Sequence, residues 1–173
     1  MLQRMAWIER EFEFDLPLSM FQNVVERLRG TPARLEERVG SLPAEILTRR
    51  HGNCWSIQES VGHLMDLEPL WAGRLEDVLK GEEVMRPADL TNRKTNEANH
   101  NKASLPYLLS TFRDLRSSFV STLDALNETA AGSAARHPRL EKPMRVIDLS
   151  FFIAEHDDHH LAWITELLRI FSV

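Results

Sequence analysis

The side chains of this chain best suited to chemistry lie in the run Glu155-His156-Asp157-Asp158-His159-His160. An α-helix brings positions i and i+4 onto one face. Steps of four and three residues from Leu149 pass through Ile153, His156, His160, Trp163, Leu167 and Ile170, so two imidazoles interrupt an otherwise apolar stripe. Burying two imidazoles without partners is costly, and one divalent ion held between them removes that cost. The H-E-x-x-H helix of metalloproteases uses the same spacing. The protease chemistry is excluded, because Asp157 and Asp158 follow His156 where a glutamate is required. The parallel stripe through His159 carries Asp148, Phe152, Glu155, Ala162 and Glu166, which predicts that His159 faces solvent.

Two histidines leave most positions of an ion to water, so a third ligand is expected from another helix. His63 is the leading candidate: it shares a stripe with Ser60, Leu67 and Leu70 and sits beside Leu64, at the edge of a buried face. Sites built between helices are standard in bundles. The plainer alternative for His63 is a hydrogen-bonded structural histidine. Three neutral imidazoles leave an ion its double charge and an open position, which suits acidifying a water or holding a thiol as thiolate.

Asp66, three residues beyond His63, and Glu59, one turn before it, are the candidate general bases. Glu59 also completes a capping box with Ser56, and Asp66 also suits a partner that orients a ligand histidine. Cys54 just ahead of this helix is either a nucleophile or a small, partly buried packing residue. Trp55, Trp71 and Trp163 are expected either to line a pocket or to fill the core. His51, His100 and His137 fall in expected loops and are read as exposed, with His100 the one that an asparagine-rich loop would bring over the site.

Four segments with the helical period must position these groups, at about 17–39, 56–80, 104–126 and 145–170. The first carries Met20, Val24, Leu28 and Leu35, and Gly30 with Pro32 predicts a kink or short interruption within it. The second has the capping box at its start and Gly81 at its end, with a bend expected at Pro69. The third opens at Ser104 and Pro106 and presents Leu108, Phe112, Leu115, Phe119 and Leu126. The fourth, after Pro143, is the most apolar. Ahead of them residues 1–16 form an arm, in which 8–16 alternate with period two and predict an extended segment across the bundle, anchored by Phe12, Phe14 and Leu16. The stretch 81–102 carries Asn92, Asn96, Asn99 and Asn101 and is long enough to be functional. Residues 129–142 read as a polar surface linker.

Composition sets outer bounds. The 173 residues suit one domain with a full core, and 43% hydrophobic with 27% charged residues is ordinary for a soluble globular chain. A net charge of -5 with both signs interspersed lacks the basic stripe that nucleic acid demands. No run approaches the roughly 20 apolar residues of a membrane span, and the first 15 residues do not read as a signal peptide. With a single cysteine, Cys54, a cytoplasmic location is expected.

The run Trp55-Ser56-Ile57-Gln58-Glu59 leading into Gly62-His63-Leu64, the continuation through Asp66, Trp71 and Arg74, and His156 followed by His159-His160 resemble the DinB-like or YfiT-like four-helix bundle proteins over nearly the whole chain. The arm from Phe12 to Pro17 resembles one branch of that family. The resemblance implies an all-α four-helix bundle with an extended N-terminal arm. It also implies a three-histidine site at His63, His156 and His160, with open positions and commonly nickel or zinc. Relatives include thiol-dependent transferases and isomerases that use low-molecular-weight thiols, and proteins labelled hydrolases.

Two functional expectations follow. One is a metal-dependent enzyme acting on a small molecule, a hydrolase or a thiol-dependent transferase. The other is a non-catalytic bundle in which the metal only joins helices, used for binding or dimerisation. A homodimer through exposed helical faces is compatible with both.

Overall fold

Ser56 opens its helix as its sequence predicts: Ser56 Oγ accepts from the Glu59 N–H at 3.1 Å, and Glu59 Oε2 accepts from the Ser56 N–H at 2.9 Å. These bonds satisfy two donors that a helix start otherwise leaves bare. The structure is a computed structural model describing residues 4–173, so the first three residues of the arm lie outside the described residues. In chain order the helices are α1 (Phe21–Val39), α2 (Ala44–Leu47), α3 (Ile57–Leu79), α4 (Arg93–Glu97), α5 (Leu105–Asp124), α6 (Glu128–Gly132) and α7 (Val146–Phe171). The four long ones form the bundle, with α1 and α3 each packed against both α5 and α7. Among the described residues no helix is long and apolar enough to cross a membrane.

Helix α1 follows a 3-10 turn at Leu18–Met20 and continues as one helix through Gly30 and Pro32, with no interruption there. Proline at 32 has no N–H for the carbonyl of Leu28. The buried guanidinium of Arg116 on α5 approaches that carbonyl through Nη1 at 3.4 Å instead. Arg116 also donates to Glu68 on α3, with Nη2 at 2.6 Å from Oε1, and to Asp157 on α7, whose Oδ2 accepts from Thr31 of α1 at 2.9 Å. One ionic cluster thus touches all four long helices, and Arg116, Glu68 and Asp157 are each 2% exposed or less. Burial and the nearby Asp157 push the Glu68 carboxyl above its ordinary value, against the pull of Arg116. The expected apolar face of α5 is corrected accordingly: Leu115 is exposed, and Arg116 occupies the inward position between Phe112 and Phe119. Helix α3 likewise runs unbroken through Pro69.

The arm is extended apart from a 3-10 turn at Trp7–Glu9, and it lies on the bundle as expected. Phe12 is its buried anchor, whereas Ile8 is exposed. Lys142 Nζ holds the Phe12 carbonyl at 3.0 Å and Arg145 Nη2 holds that of Leu16 at 2.9 Å. Lys142 precedes, and Arg145 ends, the second strand of a hairpin the sequence did not announce. The stretch 129–142 read as a polar linker holds most of α6 and the strand β1 (Ala134–Arg136), which pairs antiparallel with β2 (Pro143–Arg145) just beyond it, Ala135 opposite Met144. Three residues per strand are too few to display a period of two.

Candidate metal centre

The inward stripe of α7 delivers His156 and His160, and α3 delivers His63 from the facing side. All three are buried, and one ring nitrogen from each lies within 4.8 Å of the others. The Nε2 atoms of His156 and His160 stand 3.2 Å apart, and the His63 ring centre is 4.7 Å from that of His160 and 5.3 Å from that of His156. Burial first, then repulsion from neighbouring histidines, His63 among them, holds His156 and His160 well below their ordinary pKa, and burial brings His63 down to about 4 although Asp66 pulls the other way. At neutral pH the cluster is therefore three uncharged imidazoles with lone pairs available.

His63 has its orientation fixed from behind. Its Nδ1 lies 3.1 Å from Thr95 Oγ, and that hydroxyl gives its one proton to Asp66 Oδ2 at 2.9 Å. Thr95 must therefore accept from His63 Nδ1–H, which leaves the lone pair of His63 on Nε2. Asp66 Oδ2 also accepts from His100 Nε2 at 2.8 Å, and Lys94 Nζ lies 3.4 Å from Oδ1. Burial alone would raise the Asp66 carboxyl, but the hydrogen bonds from His100 and Thr95 and the charge of Lys94 hold it below its ordinary value. Asp66 thus stands behind His63. Glu59 is occupied by the cap and by two hydrogen bonds from Arg50, which corrects its candidacy as a base.

The asparagine-rich stretch supplies these partners. Asn92 and Asn99 take left-handed conformations ahead of α4 and of the 3-10 turn His100–Lys102, a region that asparagine tolerates. Gln58 clamps the turn to α3 by donating to the carbonyls of His100 at 2.7 Å and Ala103 at 2.8 Å. A Cβ at position 62 would run into the His100 ring, so Gly62 is what allows that ring to lie on α3. The expectation that His100 is exposed is corrected: it is buried beside Asp66 and is not one of the converging three.

Two further histidines depart from expectation. His159 is half-buried rather than solvated, because the arm covers its face of α7. The Trp7 ring centre is 5.7 Å away, and Arg4 bonds to His159 Nε2. Burial, with Arg4 and Arg10 nearby, lowers His159 to about 4. His137, following β1, is buried and its Nε2 faces Arg74 Nη1 at 3.0 Å. Neither the arm's reach nor the hairpin that carries His137 can be seen in a helical wheel.

The three imidazoles open onto a cavity of about 590 Å³. Tryptophans wall it: Trp55 lies 4.6 Å from His63, while Trp7 and Trp71 lie 5.0 Å and 5.7 Å from His156, centre to centre. Trp7 was not foreseen, and Trp163 instead donates Nε1–H to the Trp55 carbonyl at 3.2 Å without lining this cavity. Cys54 is exposed and lies outside it, which corrects the partly buried reading.

A helical bundle whose α3 and α7 converge three buried imidazoles on a tryptophan-walled cavity is the class of protein this geometry defines. The family model described as the DinB superfamily matches residues 27–164, and the chain belongs to that superfamily. In fold it is similar to YfiT from Bacillus subtilis, described as a probable metal-dependent hydrolase with an unusual four-helix bundle topology. The TM-score is 0.82 at 21% sequence identity, covering 95% of this chain and 94% of that one. No curated protein matches the chain in sequence.

Proposed function

We propose that this protein is a metal-dependent enzyme acting on a small molecule, a hydrolase or a thiol-dependent transferase, with His63, His156 and His160 holding one divalent ion. The observation that carries this reading is the 3.2 Å separation of His156 Nε2 and His160 Nε2. Two nitrogens bound at 2.0–2.1 Å to one tetrahedral ion stand about 3.3 Å apart. The donor set fits as well: three buried imidazoles bring one nitrogen each within 4.8 Å of the others. Imidazole donors suit zinc and nickel.

A divalent ion held by neutral imidazoles supplies a Lewis acid that acidifies a water or a low-molecular-weight thiol. The chain's own residues do the rest. Thr95 and Asp66 keep the lone pair of His63 turned inward. Trp7, Trp55 and Trp71 shape the cavity and thin its water, which strengthens electrostatic interactions within it. The open cavity supports catalysis over a purely structural metal, for which a closed site is expected.

Elemental analysis of protein produced without an affinity tag is the test. About one nickel or zinc per chain, lost in His156→Ala, supports the reading. Metal-free protein that takes up neither ion stoichiometrically overturns it. Metal that raises the melting temperature while no ester, amide or thiol-acceptor panel is turned over favours the structural alternative.

A further inference from the structure

The same cavity is lined by two guanidinium groups that the protein leaves without counter-charge, Arg74 and Arg139. Arg74 is 2% exposed, among the most buried side chains in the molecule. It donates through Nε to the Arg86 carbonyl at 3.1 Å and through Nη1 to His137 Nε2 at 3.0 Å, and it forms no ion pair among the described residues. Asp77, whose charge it feels, is spent on Arg86: its carboxylate accepts from Arg86 N at 2.8 Å, Nε at 2.9 Å and Nη2 at 2.6 Å. Arg139 reaches only the Ile8 carbonyl, at 3.4 Å through Nη1, while its Nη2 is buried with no partner among the described residues.

His137 cannot make up the deficit. Its Nε2 faces Arg74, and its Nδ1 faces the backbone N–H groups of Arg139 at 3.3 Å and Leu140 at 3.2 Å. A neutral imidazole has one lone pair, so it can serve only one side. The only carboxylate lining the cavity among the described residues, Asp89, is turned to Thr91 and to the Arg93 N–H. Trp71 packs near both ends of the cavity, with Arg74 Cζ 5.6 Å and the His156 ring 5.7 Å from its centre. Buried cations without paired anions are unfavourable in a folded protein and mark places where a ligand completes the charge balance.

We infer that Arg74 and Arg139 form a subsite for an anionic group, a carboxylate or a phosphate, on the small molecule that enters this cavity. The inference deepens the proposed function, on which it rests for placing the rest of that molecule at the histidines. Guanidinium groups bind both anions through paired N–H donors. Burial and Arg139 lower Arg74 only to about 10, so it stays cationic at neutral pH.

The test uses chelator-treated full-length protein titrated separately with sodium phosphate and sodium acetate, ionic strength held constant with chloride, reading tryptophan fluorescence from Trp7 and Trp71. We expect a saturable response to at least one anion, with the stronger response identifying phosphate or carboxylate as the preferred group. Arg139→Gln, at a half-buried position, should weaken it about tenfold or more with unchanged far-ultraviolet circular dichroism. Arg74→Gln, where it folds, should do the same. No saturable response to either anion, or a response that survives Arg139→Gln unchanged, overturns the inference. Anion binding by a protein that takes up no metal would remove the metal reading and leave this one; metal uptake without an anion response would do the reverse.

Discussion

His63 Nδ1 lies 3.1 Å from Thr95 Oγ, and the Thr95 hydroxyl proton goes to Asp66. This contact, across 32 positions of sequence, sets which nitrogen of His63 faces the cavity. Partners of this kind typically carry one to two orders of magnitude of metal affinity.

Thr95→Val keeps the shape of the side chain and removes its acceptor. We expect zinc or nickel affinity to fall about 10–100-fold with the fold intact. Competition against a chromophoric chelator measures it, and an unchanged constant would show that His63 is oriented by other means.

Gly62→Ala tests the same relay one step further back. The new methyl collides with the His100 ring, which must leave Asp66 or push α3 away from the loop. Overpacking of this kind costs about 1–3 kcal/mol. A lower urea midpoint together with weaker metal binding is expected; loss of stability alone would separate His100 from the function of His63.

Arg116→Met leaves Glu68 and Asp157 buried and unpaired, and should cost about 3–5 kcal/mol in denaturant unfolding. The triple variant Arg116→Met, Glu68→Leu, Asp157→Leu should recover most of that loss, because the charges are removed together. If the triple variant is no more stable than the single one, the cluster contributes more than charge balance.

What could be read in advance follows from periodicity. The capping box at Ser56 and the stripe through His156 and His160 are local patterns, and local patterns survive in sequence. His100, Thr95 and His137 reach their places through left-handed asparagines and a hairpin of three-residue strands, which leave no period to detect. Arg116 is a different case. It lies four residues after Phe112 and three before Phe119, on the buried stripe of α5, so its inward position was legible. Arginine is seldom buried, but a charged residue on an apolar stripe is itself a signal of a paired ion.

Acid should destabilise the metal-free protein through its histidines. Burial first, then Arg74 and Arg139, hold His137 at about 3, against 6.5 for an unperturbed imidazole. Between these values the unfolded chain binds a proton that the folded chain refuses, so this contribution is complete above pH 6.5 and is lost as the pH falls toward 3. Linkage gives about 2 kcal/mol lost per such histidine between pH 7.5 and 5. His137→Gln should flatten the stability profile over that interval by about this amount, as read by urea unfolding at each pH.

The Arg116 cluster also bears on how the four long helices find their alignment. Sliding any one of them by a single turn displaces its side chains by about 5.4 Å. Such a slip would still bury leucines and phenylalanines, since apolar contacts tolerate many pairings. It would carry Glu68, Asp157 or the Pro32-freed carbonyl of Leu28 out of reach of the guanidinium and strand a charge or acceptor in the interior. The cluster therefore acts as a registration pin, penalising near-miss bundles and keeping α3 and α7 at the one offset that brings His63 level with His156 and His160.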